Sequence, residues 1–130
     1  MSIIVLTHGG EYAERVLVKL SARGVAVDAL VLVDRAPIRA RLRRARTSRA
    51  LASSVLQRSL EYVERRDRWR GLAREILHGG TLNGERVLDI LRTEAPDYLL
   101  LAGVGIVNDA CLTIPKRGTI NAHPGLLPWA

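Results

Sequence analysis

The sequence predicts an α/β protein with an open, mainly parallel sheet flanked by helices, and three observations carry that prediction. Short and almost wholly apolar runs at residues 2–7, 25–33 and 98–102 read as strands buried on both faces, as parallel sheets require. Between them lie segments whose apolar residues recur at helical spacing, so strands and helices alternate along the chain. With 130 residues, 48% of them hydrophobic, there is material for one domain with one core. Phe is absent, so Leu, Val, Ile and Ala must fill that core.

Residues 2–7 form a β-branched run ending in His8-Gly9-Gly10, after which Val16, Leu17 and Leu20 mark a helix that Gly24 stops. Val25 to Val33, interrupted only by Asp28, supplies the second strand of a βαβ opening. Pro37 suits a helix first turn, and Leu51, Val55, Leu56, Leu60 and Val63 form a stripe on a long, basic, amphipathic helical region reaching about Arg66. Trp69, Leu72, Ala73, Ile76 and Leu77 continue a helical period, yet Glu75 to His78 also fits a short strand before Gly79-Gly80; periodicity leaves both open. Asn83 reads as the cap of a helix burying Val87, Ile90 and Leu91, and Pro96 marks the point beyond which a strand begins. Tyr98 to Ala102 is that strand, followed by the loop Gly103-Val104-Gly105-Ile106. Residues 112–118 read as a connecting turn and Thr119 to His123 as a further strand, ended by Pro124 and Gly125.

Composition narrows the function classes. The single cysteine, Cys111, rules out an internal disulfide and a thiolate metal cluster, and is expected to pack as a small apolar group. No metal is expected. The amino terminus lacks the basic flank and long apolar stretch of a signal peptide, and charges interrupt every longer apolar run, so the reading is cytoplasmic with no membrane partner. The net charge of +7 is concentrated between Arg35 and Arg49. Such a patch suits tRNA, phosphorylated substrates or a polyglutamate tail, and equally a solvated helix face.

In an open parallel sheet, ligands bind outside the carboxyl ends of the strands. Three segments qualify: His8 to Gly10, Ala102 to Ile106, and Asn121 to Gly125. Asn121 and His123 stand two apart on a strand, so an amide donor and an imidazole face the same side. The glycines at 103 and 105 let backbone pass close to a ligand. His8, Gly9, Gly10 and Asn83 are further candidates for substrate contact, with turn formation and capping as the structural alternatives; His78 reads as structural.

The run from Asp97 to Gly103, followed by Ile114-Pro-Lys-Arg-Gly-Thr-Ile-Asn-Ala-His-Pro-Gly-Leu-Leu-Pro128, resembles the core of the formyltransferases that use 10-formyltetrahydrofolate. That family includes methionyl-tRNA, glycinamide ribonucleotide and amino-sugar formyltransferases. The resemblance is clear over roughly residues 83–128 and implies a Rossmann-like formyltransferase fold. It assigns catalysis to Asn121, donating to the formyl oxygen, and to His123, acting as acid or polariser. It also places the folate along Leu101, Ala102, Gly103, Val104, Gly105 and Ile106. The family's third catalytic residue, an Asp beyond the Leu-Leu-Pro motif, has no counterpart here; Asp89 and Asp109 do not match that motif. The catalytic domain is therefore expected to be truncated at its carboxyl end, and the 130-residue polypeptide to be inactive or nearly so.

The expected acceptor is a small-molecule amine, an amino sugar or natural-product precursor, with tRNA ranked behind it. A non-catalytic folate-binding relative and a basic RNA-binding domain are the other readings. A strand left exposed by truncation also makes a homodimer an expectation.

Overall fold

The structure, a computed structural model, describes residues 1–34, 67 and 69–123. The expected basic helical region with the Arg35–Arg49 cluster, and the segment from Pro124 onward, lie outside the described residues.

Among the described residues, eight elements follow one another: β1 (Ile3–Thr7), α1 (Glu11–Ala22), β2 (Ala29–Val33), β3 (Glu75–Gly80), α2 (Glu85–Glu94), β4 (Tyr98–Ala102), α3 (Asp109–Leu112) and β5 (Gly118–Ala122). The strands form one five-stranded sheet in the order β3-β2-β1-β4-β5. Every pairing is parallel. The fold is thus the open α/β, Rossmann-like architecture that the apolar runs predict.

Strand alternation divides the core into two layers. Ile4, Leu6, Val31, Val33, Leu99 and Leu101 face α2 and α3, meeting Val87, Leu88, Leu91 and Cys111. Ile3, Val5, Leu30, Leu32, Leu100 and Ala102 point the other way, toward Ala13 and Leu17 of α1 and toward Trp69. The central strands β1 and β2 are buried along their whole length, which explains why their sequences are continuous apolar runs. Burial pushes the Cys111 thiol up, keeping it protonated among its apolar neighbours.

Several elements differ from expectation, each for a local reason. The strand expected over 25–33 begins only at Ala29. Its first part turns back instead: Val25 N–H donates to Leu20 O at 3.0 Å, and the Asp28 carboxylate accepts from Ile3 N–H at 2.9 Å. Glu75–Gly80 is a strand, settling the ambiguity left by periodicity. Asn83 does not cap α2; Gly84 occupies that position, and Leu88 rather than Ile90 completes the buried stripe. The short α3 lies between the expected loop at 103–106 and the expected turn from 112, where the sequence suggests no element, since four residues are too few to display a period.

At the amino ends of β1 and β4, Asp97 and Ser2 hold each other. Ser2 N–H donates to the Asp97 carboxylate at 2.8 Å, and Asp97 N–H donates to the Ser2 hydroxyl at 2.9 Å. The Ser2 backbone bond holds the Asp97 carboxyl below its ordinary value, outweighing the upward effect of desolvation, with Lys116, the amino terminus and Arg117 adding to it. A folded-state pKa below the unfolded one stabilises the fold above the unfolded value, and that contribution is lost as pH falls through the folded value. Asp97→Asn is therefore expected to weaken the fold at neutral pH and to flatten its acid dependence. Urea midpoints of the variant and the parent at about pH 7 and about pH 3 check this: the variant should lose less on acidification.

Candidate active site

The chain lays strands outward from β1 through β2 to β3, then returns to add β4 and β5 on the other side of β1. Open parallel sheets bind ligands at such a reversal, in the crevice beyond the carboxyl ends of the strands on either side of it. His8 to Gly10 and Gly103 to Val107 are the segments that flank it.

An open cavity of about 550 Å³ lies beyond β4 and β5. Leu101, Thr119 and Asn121 line it from the strands, Val104 to Val107 from the loop after β4, and Leu112 from α3, with His123 beside them. Thr119, Asn121 and His123 follow one another at intervals of two, the spacing that puts residues of a strand on one face. Asn121 pairs with Leu101 in the sheet, so its place on the cavity wall is set by the β4–β5 ladder rather than by a mobile loop. Among the described residues, no side-chain hydrogen bond occupies the Asn121 carboxamide, and both Asn121 and His123 are exposed to the cavity. Thr119 is committed elsewhere: its hydroxyl donates to Leu112 O at 3.0 Å, tying β5 to α3.

Four of the six residues expected against folate line this cavity: Leu101, Val104, Gly105 and Ile106. Ala102 does not; strand alternation turns it into the opposite core layer, where it is fully buried. Gly103 serves as a turn, with a left-handed φ of 67°. Thr119 and Leu112 are lining residues that the sequence reading does not include. Thr119 was legible, standing two residues before Asn121 on the same strand.

The glycine turn after β1 holds the crevice together. His8 Nε2 accepts a hydrogen bond from Gly105 N–H at 3.2 Å, and Nδ1 stands 3.3 Å from Val33 O. Accepting at Nε2 requires the proton on Nδ1, where it can be donated to the Val33 carbonyl. The side chain is thus a strut joining the ends of β1 and β2 to the loop after β4. Gly9 adopts φ 85°, and a Cβ there would stand 3.0 Å from the Trp69 ring. Gly10 is the residue from which α1 starts. None of the three lines the cavity. Asn83 is also occupied by the protein, as described below. His78 Nε2 lies 3.8 Å from the Asp34 carboxylate, at the ends of β3 and β2.

Among the described residues, no group of three or more His, Cys, Asp or Glu side chains is placed to hold a metal ion. No helix among the described residues is long and apolar enough to cross a membrane.

No family model matches the chain, and no solved structure matches it. Among curated proteins it is similar to methionyl-tRNA formyltransferases. The protein of Thermotoga neapolitana is 39% identical over 49 residues, a stretch covering 37% of this chain and 16% of that protein. The protein of Thermotoga maritima is 37% identical over 49 residues, with the same coverage of 37% and 16%. That of Acidithiobacillus ferrooxidans is 48% identical over 42 residues, covering 32% of this chain and 13% of its own length. The chain therefore corresponds to a small part of the curated relatives it matches. Through this stretch, the chain is related to the formyltransferase family.

Proposed function

We propose that this chain carries the part of a formyltransferase site that holds 10-formyltetrahydrofolate and polarises its formyl group for transfer to a small-molecule amine, such as an amino sugar or a natural-product precursor. One observation carries the reading: the Asn121 carboxamide, which makes no side-chain hydrogen bond among the described residues, and the His123 imidazole line the same cavity as a glycine-containing loop. The cavity volume of about 550 Å³ suits a drug-sized heterocycle, and Leu101, Val107 and Leu112 supply the apolar contacts that a flat ring system favours. Gly105 N–H and Ile106 O are held by His8 and Asn83, and the other backbone groups of Val104 to Ile106 supply the donors and acceptors for such a ring.

In this reading the acceptor nitrogen bonds to the formyl carbon while the bond from that carbon to the folate nitrogen breaks. Negative charge builds on the formyl oxygen, and Asn121 is fixed on a strand to donate to it. Such a donor stabilises the transition state more than the ground state, which is the condition for catalysis. In the same reading His123 takes the proton lost by the amine and returns it to the departing folate nitrogen.

Calorimetric titration with 5-formyltetrahydrofolate, a stable relative of the co-substrate, tests the reading. Saturable one-site binding is expected, weakened by His123→Ala and unchanged by Lys19→Ala on α1. A parent protein that shows no binding overturns it.

A second acceptor, methionyl-tRNA, is favoured by the names of the relatives and by the net charge of +7. The two acceptors differ in salt response. Binding of a tRNA falls steeply with added salt through counterion release, whereas binding of a small amine changes little.

A further inference from the structure

We infer that Asn83 is a positioning residue: its side-chain amide latches the loop between β4 and α3, and so sets the wall of the cavity. The consequence for folate rests on the function proposed above, whereas the latch itself does not.

Asn83 stands between β3 and α2 in a left-handed backbone conformation, φ 63°. Asn adopts that region more readily than most residues that carry a side chain. Its carboxamide then reaches a loop more than twenty residues away in sequence. Nδ2 donates to Ile106 O at 2.8 Å, and Oδ1 accepts from Asn108 N–H at 2.7 Å. Both ends of the amide are used, in opposite senses. Rotating it by half a turn would set oxygen against carbonyl and NH₂ against N–H, so one orientation is fixed.

The latched loop has little else to hold it. Ile106 is 89% exposed, and Gly103 and Gly105 add backbone freedom; Val107 anchors the loop in the core, with Val104 partly buried against the same cluster. From the other side, His8 Nε2 accepts from Gly105 N–H at 3.2 Å. Backbone groups of Gly105, Ile106 and Asn108 are thus held by side chains arriving from two other strand ends. Because Val104 to Val107 wall the cavity while Asn83 does not line it, Asn83 acts through the loop. Helix capping does not account for these contacts, since Asn83 lies before the Gly84 cap.

Asn83→Gly isolates the latch, because glycine keeps the left-handed backbone accessible while removing the amide. Amide hydrogen exchange at Asn108 is expected to quicken about tenfold or more, with a thermal midpoint close to that of the parent. Affinity for 5-formyltetrahydrofolate should fall about tenfold as the loop loosens. Asn83→Asp keeps an acceptor for Asn108 N–H but has no donor for Ile106 O. It should leave Asn108 protected while still weakening the folate, a split that general loss of stability would not produce. Unchanged Asn108 exchange in Asn83→Gly overturns the latch. Faster exchange with unaltered affinity overturns its control of the cavity. If the parent protein does not bind 5-formyltetrahydrofolate, the folate reading fails, and the exchange rates alone judge the latch.

Discussion

Asn121→Ala is expected to slow formyl transfer about 10²- to 10³-fold and to leave the thermal midpoint nearly unchanged. The two halves of this result have separate causes. Asn121 is exposed at the cavity, and its side chain makes no hydrogen bond among the described residues, so truncating it removes little packing. Its backbone, however, is locked into the β4–β5 ladder opposite Leu101, so the point from which the amide reaches the cavity is set before any ligand arrives. A preorganised donor needs no reorientation as charge develops, which makes its loss costly for rate. Single-turnover measurements with protein in excess over 10-formyltetrahydrofolate read this even where turnover is slow. Asn121→Asp should be slower still, since a carboxylate repels the developing oxyanion.

Gly79→Ala is expected to destabilise the fold by about 1–3 kcal/mol, which lowers the thermal midpoint by roughly 10 °C in a domain of this size. Gly79 is the additional residue of a bulge: the β2–β3 register passes from Leu32 and His78 directly to Val33 and Gly80. A Cβ at this point would stand 2.8 Å from Val31 Cγ1, 3.1 Å from Val33 Cγ1 and 3.1 Å from Val87 Cγ2. All three neighbours are β-branched and stiff at χ1, so they cannot swing aside. Gly71→Ala is the control, because a Cβ there meets nothing within 4 Å. Equal thermal midpoints for the two variants would show that β2, β3 and α2 are not packed as described.

The sequence pattern reveals the sheet most clearly where burial is most complete. β1 and β4 are nearly continuous apolar runs because both their faces are covered. β3 is ambiguous in sequence because it lies at an edge of the described sheet, where Glu75 and His78 are exposed and only Gly79 is buried. α3 leaves no periodic trace in four residues. The convergence of Asn121 and His123 follows from strand alternation, which requires only their spacing of two. The same alternation separates Ala102 from Leu101, so treating residues 101–106 as one binding run misplaces Ala102. The roles of Asn83 and His8 could not be read this way. Their partners, Ile106, Asn108 and Gly105, are distant in sequence and engage through backbone atoms, which leave no mark on residue type.

Nuclear magnetic resonance of the ¹⁵N-labelled protein, following the Asn121 side-chain NH₂ during titration with 5-formyltetrahydrofolate, tests the site most directly. The Asn121 signals should move to saturation together with the Gly105 backbone amide, on one common binding curve. Asn121 signals that stay still while the ligand saturates other resonances, such as those around His78 and Asp34, would contradict the account.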